Sequence, residues 1–288
     1  MKKLFGGIDL TWKKLIIFAL SSALYTAIMA LLPPLKNTSF HDIVVTFEVW
    51  ILFGMIIIMN SKSAKDSALK CFVFFLISQP LVYLIQVPFN KLGFGIFNYY
   101  GYWFKWTILT IPMGFVGYYM KKEKWYSVLI LTLGILFLGF GSYELYLKET
   151  IFNFPYHLLT TLFCLITMLL YPLYVFNNKK TKTISFIISI LIVIGLTFFA
   201  FTHKKVYDAT LLASGSRNII LNEKSKVYLE DNLGKVYIKY ENGFEDYVLN
   251  GEFTKAGKTK LTIIDANDKK TEFNLTVKSD NFDLRKVK

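Results

Sequence analysis

Apolar runs close to twenty residues long recur through the first two hundred residues, each bounded by a short loop that carries lysine. About twenty apolar residues in helical form span the roughly 30 Å hydrocarbon core of a bilayer. Inside that core every backbone donor and acceptor must be satisfied within the segment, which leaves helices as the natural solution. Runs at 14–32, 43–59, 71–87, 104–120, 125–140, 155–176 and 184–201 predict seven transmembrane helices in a domain covering 1–202. Composition agrees: 54% of residues are hydrophobic, against about 45–50% in soluble chains even when Gly is counted. The net charge of +13 lies in the loops and not along one phosphate-binding face. The lipid bilayer is therefore the expected partner, and nucleic acid is not.

The loop lysines alternate. Lys2, Lys3, Lys13 and Lys14, then Lys62, Lys65 and Lys70, then Lys121, Lys122 and Lys124, then Lys179, Lys180 and Lys182 fall on one side of the expected membrane. The opposite loops hold Lys36, Lys91 and Lys148. Positive loops stay in the cytoplasm, so the N-terminus is expected inside and the C-terminal domain outside the cell membrane. Lys2 and Lys3 ahead of an apolar run imitate a signal peptide. The run is long for one and meets Pro33–Pro34 directly, so a retained helix is expected. Cys71 and Cys164 both sit in apolar runs with no CxxC or zinc spacing, and neither a metal site nor a cofactor is expected.

Beyond Thr202 the pattern changes. NIIL, KVYLE, KVYIKY, DYVLN, KLTIID and EFNLTVK alternate apolar and polar residues, separated by turn chemistry such as Asn232–Leu233–Gly234, Asn242–Gly243 and Ala266–Asn267–Asp268. Period-two runs at this spacing predict an all-β antiparallel sandwich over 203–288. A fragment beginning at Val206 is expected to fold alone. The stretch GEFTKAGKTKLTIIDANDKKTEFNLTVK resembles the last two strands of bacterial immunoglobulin-like domains, in which an Ala-Gly turn leads into an Asp-bounded hairpin. The resemblance covers about sixty residues and implies an extracellular fold with a cell-surface or cell-wall partner, without implying a reaction.

The candidate site lies where the polar stretch NTSFHD enters the second apolar run. A charge within a spanning helix costs about 2.5–3.5 kcal/mol on insertion scales and usually faces a partner or a wet cavity. Glu48 is such a charge, with Lys105 its expected partner and His41 next. His41 and Glu48, seven residues apart, would share one helix face. Asp42 and Gln86 complete the expected ligand-binding group, with Asp42 and Ser39 equally suited to cap a helix. Lys105 can also snorkel beside Trp103 and Trp106. His157 reads as an interfacial residue. Gln79–Pro80 is expected to break the third helix.

Ala19, Ala23 and Ala27 form a small-residue ridge that suits close helix packing, within the bundle or against another membrane subunit. This ridge, with the SFHDI entry into the second helix, is similar to the S-components of energy-coupling-factor vitamin transporters. The resemblance implies a coupling-subunit partner along the ridge and outward loops over a small substrate. It covers about the first sixty residues. No Walker loop, HExxH or GxSxG motif occurs. The expectation is an outward-facing binding or uptake component. The alternatives are an intramembrane enzyme acting on lipid or cell-wall precursors, with a Glu–His pair as acid and base, and a membrane-anchored surface interaction protein.

Overall fold

The structure is a computed structural model that describes residues 2–36, 38–241 and 245–287, with Lys2 by its backbone only. The chain divides into two compact units, one of Met1–Tyr146 with Tyr156–Phe199 and one of Leu147–Pro155 with Ala200–Lys288. The boundary expected at 202/203 thus falls close to Ala200, but the second unit also takes a short segment from the middle of the helical region.

The helices are α1 Trp12–Leu31, α2 Ser39–Val45, α3 Phe47–Met59, α4 Ala64–Gln86, α5 Tyr100–Gly117, α6 Trp125–Leu138, α7 Glu144–Phe152, α8 Leu158–Val175 and α9 Lys179–Thr202. Among the described residues, five helical stretches are long and apolar enough to cross a membrane, or six if α2 and α3, bent by 43°, form one span. Several of the chain's helices are thus compatible with crossing a bilayer. Large apolar side chains such as Ile17, Leu24, Leu133, Leu191 and Phe198 are exposed on its helices, as expected of surfaces that face lipid.

Three helix boundaries differ from expectation. The second run is split at Thr46, whose backbone (φ −94°, ψ −156°) is extended. The sequence there is Val44, Val45, Thr46, three β-branched residues with reduced helix propensity. α4 runs unbroken through Pro80, although that proline leaves the Leu76 carbonyl without its helical donor. After α6 the chain does not enter a loop. A π-turn at Gly139–Tyr143 carries it into α7. A Cβ at Gly139 would lie 2.5 Å from Leu196 Cδ1 of α9, so that leucine would have to shift to admit one.

The loops at the lysine-rich end are tied together. Asn60 accepts from the backbone N–H groups of Gly6 and Ile8 at 3.2 and 2.8 Å and donates to the Leu4 carbonyl at 2.6 Å. Lys121 Nζ donates to the Ser61 carbonyl at 2.7 Å. Glu123 accepts from the Asn177 and Asn178 backbone N–H groups at 2.9 and 2.6 Å. These bonds pair loops that the lysine alternation placed on one side.

In the second unit, β1 Tyr207–Ala213, β2 Lys226–Leu229, β3 Gly234–Glu241, β4 Asp246–Phe253, β5 Gly257–Ile264, β6 Lys270–Val277 and β7 Phe282–Lys286 form two antiparallel sheets. Their strand orders are β1-β4-β3 and β2-β5-β6-β7. Residues from both sheets, among them Leu249, Phe253, Leu261, Phe273 and Leu275, share one buried cluster. The NIIL run is not a strand, whereas β1 and β7 are strands outside the stretch that alternation marked. The turn expected at Asn242–Gly243 lies outside the described residues. In the β5–β6 hairpin, Asp265 Oδ1 accepts from the N–H groups of Asn267 and Lys269 at 2.8 and 3.0 Å. Asp268 takes a left-handed φ of +58°, which accounts for the Asp-rich turn sequence.

The segment Leu147–Pro155 completes this unit. Phe152 is 3% exposed and belongs to the same apolar cluster. Its carbonyl accepts from Ala256 N–H at 2.8 Å. Lys205 Nζ meets Glu149 Oε1 at 2.5 Å and lies 5.4 Å from the Phe152 ring centroid. Asn153 Nδ2 donates to Ser279 Oγ at 3.1 Å.

Candidate functional site

The expected site residues divide into a closed polar cluster and bystanders. Asp42, on α2, lies 2.7 Å through Oδ2 from His157 Nδ1, just before α8. Thr160 Oγ1 donates to the same carboxylate oxygen at 3.2 Å. Ser39 Oγ donates to the Tyr156 carbonyl at 3.1 Å and accepts from Thr160 N–H at 3.1 Å. Asp42 and His157 are 6% and 7% exposed, and the His157 ring stacks on Tyr146 at 5.8 Å. These bonds fasten α2 to α8. His157 is thus a central member of the cluster rather than an interfacial residue.

Glu48 sits in the first turn of α3, two residues beyond the break, with no exposed surface. Thr46 Oγ1 donates to the Asp42 carbonyl at 2.5 Å and also bonds the Glu48 carboxyl group. Ser142, in the π-turn, approaches that carboxyl. Even so, neither Glu48 Oε1 nor the Ser142 hydroxyl has a hydrogen-bond partner among the described residues.

The pairing of Glu48 with Lys105 does not form. Lys105 is exposed on α5, where a long side chain keeps its charge in water. His41 is half-buried and cannot share a straight helix face with Glu48, because the axis bends at Thr46. Gln86 donates to the Val82 carbonyl of its own helix at 3.1 Å. Without contact, the effects of Glu48→Gln and Lys105→Met on thermal stability are expected to add within about 0.5 kcal/mol. A larger coupling in a double-mutant cycle would show that the two charges meet.

The alanine ridge is already covered. Ala19, Ala23 and Ala27 are fully buried, and α1 lies against α4 and α2. Small residues here let helices of the same chain approach closely. Cys71 and Cys164 are free and buried. Among the described residues no group of His, Cys, Asp and Glu could hold a metal.

A cavity of about 550 Å³ lies between α3, α4, α5 and α6 and opens to the surface past the exposed Met113, Val116 and Leu133; its volume is within the roughly 300–1,000 Å³ range of small-molecule sites. Phe47, Trp50, Phe75, Trp103, Trp106 and Phe137 contribute rings to its wall, and Gln79 lines it as well. Trp50 Nε1 donates to the Val44 carbonyl at 3.1 Å, and Thr110 Oγ1 to the Thr107 carbonyl at 2.6 Å. Gln79 is 5% exposed, and its amide makes no hydrogen bond among the described residues. None of the expected ligand-binding residues lines this cavity. The aromatic residues that do are scattered over four helices without any shared spacing, and the sequence signal at Gln79 was its proline neighbour.

Comparison with protein families, curated proteins and solved structures finds no match to this chain.

Proposed function

We propose that the chain is an outward-facing, membrane-embedded binding or uptake component for a small molecule. The observation that carries this reading is the cavity between α3 and α6, large enough for such a ligand and lined from four helices. In this reading α5 and the bent α2–α3 pair join the five apolar helices to make seven spans. Lysine-rich loops face the cytoplasm, and the strand unit is extracellular. The polar cluster around Asp42 and His157 closes the outer end of the bundle and is not itself the ligand site.

The strand unit is read as an immunoglobulin-like domain in the sense of architecture: two antiparallel sheets over one core. In antibody constant domains the second strand pairs with the first and the fifth, whereas here β2 pairs only with β5. The likeness therefore rests on the sandwich and on the Ala-Gly and Asp turns. It supports a surface partner and says nothing of chemistry.

Protein purified from its native membrane, extracted with organic solvent and examined by mass spectrometry, should yield a small molecule that is absent from a control membrane protein. Recovery of bulk phospholipid alone, in the control's proportions, would contradict the reading. Orientation has its own test. Single cysteines at Lys65 or Lys180, both exposed, should resist an impermeant thiol reagent in intact cells, while one at exposed Asn267 should react. Ser61 is unsuitable because it is buried. The reverse labelling pattern would invert the topology.

A further inference from the structure

We propose that the α3–α6 cavity takes an uncharged, flat, ring-bearing molecule that carries at least one carbonyl or hydroxyl group, and that Gln79 is the side chain that orients it. This rests on the reading of the cavity as the ligand site.

Three observations define the ligand class. Among the described residues no Asp, Glu, Lys, Arg or His lines the cavity. A charged group would therefore be stripped of water with nothing to pair against, so the ligand is neutral. The wall is aromatic, and its rings hold one another at fixed tilts. Phe47 lies 5.0 Å from Trp103 and 5.2 Å from Trp106, Trp106 lies 5.4 Å from Phe137, and Trp50 lies 5.8 Å from Phe75. Rings set this way offer faces and edges to a planar unsaturated guest, which stacks or meets them edge-on, better than to a saturated chain. The third observation is Gln79. The residue is 5% exposed and lines the cavity, and its side-chain amide makes no hydrogen bond among the described residues, so a guest that covers it must supply a bond or leave it unmatched at a cost. Nε2–H can donate to a carbonyl and Oε1 can accept from a hydroxyl, so a single polar group on the guest supplies the missing bond.

Two glycines give a way to fill the cavity. Gly54 and Gly134 both line it, and a Cβ at either position would meet nothing within 4 Å. The test uses the full chain in phosphatidylcholine nanodiscs, titrated with 2-methyl-1,4-naphthoquinone while tryptophan fluorescence is read. Saturable quenching is expected in the wild type. Gln79→Leu should weaken it roughly tenfold, as the loss of one buried hydrogen bond implies. The double variant Gly54→Leu with Gly134→Leu should abolish it, with an unchanged thermal melt. If the double variant is quenched like the wild type, the cavity is not the site, and both this inference and the functional reading fall. If closing the cavity abolishes quenching but Gln79→Leu binds as the wild type does, the orienting role of Gln79 is overturned while the cavity reading stands. Absence of saturable quenching in the wild type overturns the class. So does equal, cavity-dependent quenching by a phosphatidylcholine brominated on its acyl chain, which would make the occupant a lipid tail.

Discussion

Phe152→Ala is expected to destabilise the strand unit by about 3–5 kcal/mol, the usual cost of emptying a buried phenylalanine site. The ring is 3% exposed and packs with Phe253, Leu261 and Phe273, far along the sequence from α7. For a unit of this size, whose total stability is of order 5–15 kcal/mol, that is a large fraction. The full-length variant should lose amide-exchange protection in β4–β6, while α1 and α4 keep theirs. The same reasoning qualifies the fragment that begins at Val206. It lacks Phe152 and the Ala256–Phe152 backbone bond, so its melt should be lower than that of a fragment that also carries residues 147–155. Equal melting temperatures for the two fragments would show that the helical segment is not part of this core.

The second large effect is expected at the Asp42–His157 pair. Both side chains are less than a tenth exposed and lie 2.7 Å apart. Removing one partner of a buried ionisable pair costs about 3–5 kcal/mol, because the other is left uncompensated. Asp42→Leu and His157→Leu should each reduce folded yield and melting temperature in detergent. The double change should recover part of the loss, since neither group is then stranded. A double variant as impaired as the sum of the singles would mean that the pair is not coupled. Cavity occupancy should be unaffected in whatever protein folds, because neither residue lines it.

Periodicity carried much of the architecture. Lysine-bounded apolar runs marked the helical unit, and period-two alternation marked β2 to β6. What it could not mark depends on distant parts of the chain meeting. Asp42 and His157 are 115 residues apart, and no local spacing announces that bond. By its sequence Leu147–Pro155 belongs to the loop between the runs 125–140 and 155–176, with Lys148 and Glu149. Its one core residue, Phe152, joins the strands through contacts no window of sequence contains. The pairing of Glu48 with Lys105 failed for a related reason. Depth along a helix was legible, but the azimuth of α5, which leaves Lys105 exposed, was not. The break at Thr46 has a local signal in its β-branched run, yet the continuous hydropathy of Ile43–Met59 predicts a single helix.

The central claim is that the cavity between α3 and α6 holds the ligand. Native mass spectrometry of the protein from its own membrane, run beside the Gly54→Leu, Gly134→Leu variant, tests it most directly. The wild type should carry one small adduct per chain, and the closed variant, equally folded, should carry none. The same adduct at the same occupancy on both proteins would contradict the account.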